Sequence, residues 1–113
     1  MRAYELMLIV DGELDEPVAQ AWTKTVTDQV ATAGGRVHGS ADWWGKRRFA
    51  YEIKHKSEGY YAVFNLVAEP GALDGFERSL RLADDIVRHK LIRLPDREAA
   101  RRGLLGEAPA AAG

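Results

Sequence analysis

The chain has no cysteine among its 113 residues. A disulfide framework, a thiolate metal site and a cysteine nucleophile are excluded together. Histidine is scarce, and His38, His55 and His89 stand apart, without the i, i+4 pairing of a helical zinc site. No apolar run approaches the roughly 18–20 residues that a membrane-crossing helix requires. The opening Met1-Arg2-Ala3-Tyr4-Glu5 lacks the apolar core and cleavage site of a secretory leader. The expected location is therefore the cytoplasm, with no membrane partner. A large excess of one charge is also missing, since the formal net charge is −1.

What is present suits one compact domain with a short appendage: 46% hydrophobic and 29% charged residues, an ordinary globular balance. The small net charge conceals a polar distribution. Residues 1–30 set Arg2 and Lys24 against Glu5, Asp11, Glu13, Asp15, Glu16 and Asp28, a balance of −4. Residues 43–56 set Lys46, Arg47, Arg48, Lys54 and Lys56 against Glu52, a balance of +4. Residues 78–93 set Arg78, Arg81, Arg88, Lys90 and Arg93 against Asp84 and Asp85, a balance of +3. Binding of a polyanion follows the local field, so two basic stretches outweigh the neutral total.

The hydrophobic pattern predicts six elements. Residues 4–10 form an almost continuous apolar run, as a central strand requires. Asp15 is placed as an N-cap with Pro17 in the first helical turn. Val18, Trp22, Val26 and Val30 then share one helical stripe, and Gly34-Gly35 ends the helix. An extended segment follows over residues 36–54, interrupted at Gly45, where a bulge is expected. Residues 55–59 read as a hairpin loop, and residues 60–67 as a second central strand. Pro70-Gly71 opens a second helix carrying Leu73, Phe76 and Leu80, and a basic fourth strand spans residues 86–94, its two faces unassigned. The order strand, helix, strand, strand, helix, strand is the ferredoxin-like split βαβ plan. It belongs to the α+β class: a four-stranded antiparallel sheet with two helices on one face. The domain is expected over residues 1–95, with 96–113 as a flexible tail.

Some chemistries of this plan are disfavoured by the residues present. An acylphosphatase-type anion loop is missing, since Asp11-Gly12-Glu13-Leu14-Asp15-Glu16 repels phosphate. That segment also lacks EF-hand spacing and reads as a solvated helix start. A base-stacking site of the RRM kind is weakened on the third strand, where Glu58 replaces the basic residue and Ala62 a stacking aromatic. Lys46, Arg47 and Arg48 beside Trp43, Trp44, Phe49 and Tyr51 do combine the cations and planar groups that RNA binding uses. Arg88 and Arg93 on the last strand, with Arg2 on its expected neighbour, extend that set. The competing reading of these groups is a solvated surface over an aromatic core.

Several segments, taken together and in order, resemble the bacterial small-subunit ribosomal protein six family. They are Met1-Arg2-Ala3-Tyr4-Glu5, Gly34-Gly35-Arg36-Val37, Trp44-Gly45-Lys46-Arg47-Arg48-Phe49-Ala50-Tyr51-Glu52-Ile53, Gly59-Tyr60-Tyr61 and Val87-Arg88-His89. The likeness covers residues 1 to about 95, and the Gly45 to Ile53 string is its most specific part. Glu52 and His55 depart from the proline and lysine found in many members. The resemblance implies a ferredoxin-like fold, no catalytic activity and no cofactor. It also implies binding to small-subunit ribosomal RNA in the platform region, as a heterodimer with small-subunit ribosomal protein eighteen. The residues expected at RNA are Arg47, Arg48, Arg88 and Arg93, followed by Arg2 and Lys46. The free chain is expected to be a monomer, and the apolar open sheet face to meet the protein partner. The alternative function is a ligand-binding or enzymatic ferredoxin-like homodimer.

Overall fold

The computed structural model describes residues 1–104. Four antiparallel strands form one sheet: β1 (Arg2–Asp11), β2 (Arg36–Ile53), β3 (Lys56–Ala68) and β4 (Ile86–Arg93), in the order β2-β3-β1-β4. The two apolar runs, β1 and β3, occupy the centre, as their composition predicts. This is the expected split βαβ arrangement. Side chains alternate across the sheet. Leu6, Leu8 and Val10 of β1, with Tyr60, Ala62, Phe64 and Leu66 of β3, face the helices and are buried. Glu5, Met7 and Ile9, opposite Asn65, Val63 and Tyr61, therefore face the other way.

The first helical segment is broken in two at Ala21, giving α1 (Glu16–Gln20) and α2 (Trp22–Thr32). The break corrects one expectation. Trp22, Val26 and Val30 pack on the core, but Val18 is 52% exposed and Ala19 takes the buried position. A four-residue spacing holds a stripe only along an unbroken helix. Gly34, at a φ of 91°, closes α2 in the left-handed conformation, and the Gly35 N–H reaches back to the Val30 carbonyl at 2.9 Å. The second helix is α3 (Asp74–Leu82), and Leu73, Phe76 and Leu80 are buried as their spacing requires.

The hairpin between β2 and β3 is tighter than expected. Both strands continue until Ile53 faces Lys56, so the turn is Lys54-His55 and not a loop over residues 55–59. Both turn residues have positive φ, 52° and 64°. A two-residue turn of this hand matches the right-handed strand twist, which outweighs the lack of glycine. Lys56 anchors the hairpin base, its ammonium 3.1 Å from Asp11 and 2.9 Å from Glu13.

Residues 96–104 do not behave as the start of a flexible tail. They form α4 (Asp96–Arg101) and a closing turn. Ala99 and Leu104 are buried against Ala3, Val67 and Leu94, on the sheet face opposite the other helices. Small apolar contacts alone would hold this segment weakly, and a polar clamp adds to them. Arg102 donates to Glu98 at 2.6 Å, to Glu5 at 3.0 Å and to Asn65 at 3.1 Å. The rest of the expected tail, residues 105–113, lies outside the described residues.

The clamp is acid-sensitive in a defined direction. Hydrogen bonds from Arg102 and then Arg101 hold the Glu98 carboxyl below its ordinary range. A carboxylate with a depressed folded pKa contributes stability above its unfolded value, and that contribution disappears as pH falls through the folded value. Hydrogen-exchange protection at Ala99 and Leu104 should therefore fall on acidification below the ordinary glutamate range, before protection of β1 is lost. Protection that fell together in both places would reject separate undocking of α4.

Candidate nucleic-acid interface

Gly45 organises the basic segment. At a φ of 83° it forms a bulge where β2 shifts register between Trp43 and Gly45 against β3. The two adjacent tryptophans before it lie on opposite faces, as strand alternation requires. Trp43 stacks on Tyr60 at 5.6 Å on the helix side, while Trp44 stacks on Tyr61 at 6.0 Å, nearly parallel, on the open side. Phe49 meets Tyr61 edge-on at 6.2 Å. Gly59 makes room for this: a Cβ there would lie 2.7 Å from Ile9 Cγ2 and 3.0 Å from Phe49 Cζ.

The hairpin thus turns its aromatic residues toward β4 over the upper open face. Between them lies a cleft of about 420 Å³. Met7, Ile9, Phe49, Tyr51 and Tyr61 supply apolar lining, and Arg48, Arg88 and Lys90 bring cations to it. Arg88 sits opposite Ile9 and Lys90 opposite Met7, which settles the faces of β4: Arg88, Lys90 and Ile92 point to the open side. A second hollow flanks Arg88 and brings Lys54 and Arg81 beside it. Among the described residues, no carboxylate oxygen lies within 4.0 Å of the charged nitrogens of Arg48, Lys54, Arg81, Arg88 or Lys90. The hairpin, α3 and β4 therefore converge five uncompensated cations at one end of the sheet.

The six residues singled out from sequence do not form one surface. Arg48 and Arg88 share the cleft, and Arg47, exposed, adjoins it on β2 opposite Gly59. Lys46 is engaged internally, its ammonium 5.2 Å from the Tyr60 ring centre and 3.5 Å from Glu58. Partial desolvation lowers its pKa, but Tyr60 and Glu58 outweigh that and hold it above the ordinary lysine value. Arg2 and Arg93 do lie together, as adjacent strands require, but in a shallow hollow at the opposite end, with Glu69 and Asp96. Arg93 and Asp96 are 3.9 Å apart. The five residue steps from Arg88 to Arg93 separate the two ends by about 17 Å of strand.

Sequence reasoning missed Lys90, Lys54 and Arg81 as members of the cluster. The alternation of Arg88, Lys90 and Ile92 was the available signal for the first. His89 borders both hollows but alternates to the helix side, where its Nε2 lies 3.0 Å from Glu77. The arrangement offers cations and planar rings to a polyanion. Among the described residues no three acidic or histidine side chains are grouped to hold a metal ion.

Comparison with known proteins gives a consistent picture. The family described as ribosomal protein S6 matches residues 3–93. A small ribosomal subunit protein bS6 from Salinispora arenicola is 46% identical over 93 residues, which are 82% of this chain and 96% of that protein. Its counterpart from Symbiobacterium thermophilum is 42% identical over 93 residues, covering 82% and 97%. Among solved structures, the 30S ribosomal protein S6 from Thermotoga maritima is similar with a TM-score of 0.80 and 28% identity. That match spans 92% of this chain and 97% of the other.

Proposed function

This chain belongs to the ribosomal protein S6 family, and we propose that it binds small-subunit ribosomal RNA cooperatively with small-subunit ribosomal protein eighteen. It is a structural, non-enzymatic protein of the bacterial small ribosomal subunit, and its place is the ribosome in the cytoplasm. In the proposal, residues 1–95 are the RNA-binding unit, which is a monomer until assembly. The observation that carries the RNA reading is the set of cations around the hairpin and β4 that have no carboxylate partner among the described residues. A phosphodiester backbone supplies the missing counter-charge and releases its own condensed ions on binding. Arg48 and Arg88 take the leading role and Arg47 flanks them. Arg2 and Arg93 are a second contact point at the far end, and Lys46, already paired, contributes least.

The protein partner takes the middle of the open face. Trp44 and Ile92 are exposed there and Val63 is half-buried, between the cleft above and α4 below. A partner on this band lies beside bound RNA, and each ligand then shields the flank of the other's site. Coupling of this kind is commonly worth about 5- to 150-fold in affinity. A filter-binding titration of small-subunit ribosomal RNA with and without protein eighteen should show tightening within that range. Equal affinity in the two titrations would reject cooperative binding.

A further inference from the structure

We propose that the cleft between the β2–β3 hairpin and β4 holds an unstacked RNA base, with Tyr51 as its stacking platform and Arg48, Arg88 and Lys90 on the adjoining phosphates. This rests on the reading of the chain as an RNA-binding protein and adds a site to it. Tyr51 is 73% exposed, the highest exposure among the large hydrophobic side chains of the described residues. Its neighbours on the open face are already engaged: Trp44 lies on Tyr61, and Phe49 meets the edge of the same ring. Tyr51 makes no ring-to-ring contact among the described residues. One face of a planar group is thus presented at the mouth of a cleft whose volume falls in the range of small-ligand sites.

The charge pattern selects the occupant. Among the described residues no Asp or Glu lines the cleft, whereas three cations do. A neutral apolar side chain inserted there would leave those cations facing a surface that offers them no partner, at a desolvation cost. A base with its flanking phosphates satisfies both features, since the ring stacks while the backbone remains at the cationic rim. The position differs from stacking at the middle of a sheet. There Ala62 faces the helices and Tyr61 is covered by Trp44. The hairpin supplies the platform that the sheet centre lacks.

The test compares a short single-stranded oligoadenylate with an abasic ribose-phosphate oligomer of the same length, at low salt, using the full chain. The phosphate charge is equal, so a difference in affinity reports base contact. The base-bearing strand should bind tighter, and Tyr51→Ala should abolish the difference by weakening only that strand, roughly 5- to 100-fold. Tyr51→Phe should retain it. Arg88→Ala should weaken both strands and lower the salt slope by about one phosphate contact. Equal binding of the two strands, unaffected by Tyr51→Ala, overturns the base site while leaving phosphate binding intact. Failure of both strands to bind overturns the RNA reading itself. Loss of capture by protein eighteen in Tyr51→Ala, with RNA binding unchanged, gives the cleft to the protein and also overturns the proposal.

Discussion

Arg88→Glu is expected to weaken binding to small-subunit ribosomal RNA by roughly 10- to 100-fold, the loss of a charge-assisted contact of about 1.5–3 kcal/mol. The residue sits between two hollows that bring together side chains of the hairpin, α3 and β4. A negative charge there repels the backbone that the surrounding cations attract. The dependence of log affinity on log salt should become shallower by about one counterion, which distinguishes a lost phosphate contact from general damage. Thermal stability should change by no more than about 0.5 kcal/mol, because Arg88 is exposed and has no carboxylate partner among the described residues. Arg93→Glu supplies the comparison from the other end of the sheet. If RNA spans both ends, the two losses should add in the double variant, given their separation. A normal affinity in Arg88→Glu would remove the hairpin end from the interface.

The largest effect on folding is expected from Phe64→Ala. Phe64 is 1% exposed, lies opposite Leu6 on the other central strand, and is among the largest fully buried side chains. Its truncation removes apolar contact and leaves a cavity that a sheet paired on both sides cannot readily close, at a cost of about 3–5 kcal/mol. That is a large share of the roughly 5–15 kcal/mol that holds a domain together. Urea unfolding should show a lower midpoint with little change in slope. Below the transition the folded fraction should bind RNA with unaltered salt dependence, since Phe64 faces the helices and the cations lie elsewhere. A loss of stability below about 1 kcal/mol would mean that the core around Phe64 collapses to fill the gap.

Elements determined by local periodicity were legible in the chain. The apolar runs of β1 and β3 marked the sheet centre, Gly45 marked the bulge, and Leu73, Phe76 and Leu80 marked the buried side of α3. Features settled by distant residues were not. The break at Ala21 exposes Val18 although its spacing continues the stripe. The Lys54-His55 turn contains neither glycine nor asparagine, so strand register and not turn composition selects it. The folding of α4 depends on Arg102 reaching Glu5 and Asn65, 97 and 37 positions away in sequence. The same division runs through the site. Proximity of Arg2 to Arg93 followed from topology, but capture of Lys46 by Glu58 and recruitment of Arg81 from α3 required the folded surface.

The strand order also dictates when the molecule can exist. β1 is made before the other three strands, yet both of its edges are filled by strands made much later, β3 and then β4. At about 5–20 residues per second, translation from Asp11 to Arg93 takes roughly 4–16 s. Throughout that interval the most apolar segment of the chain has at least one open edge, a template for wrong pairing. A polypeptide that stops before β4 is complete cannot close its sheet, and it also lacks Arg88 and Lys90. Closure of the sheet and completion of the basic surface therefore wait on the same late strand.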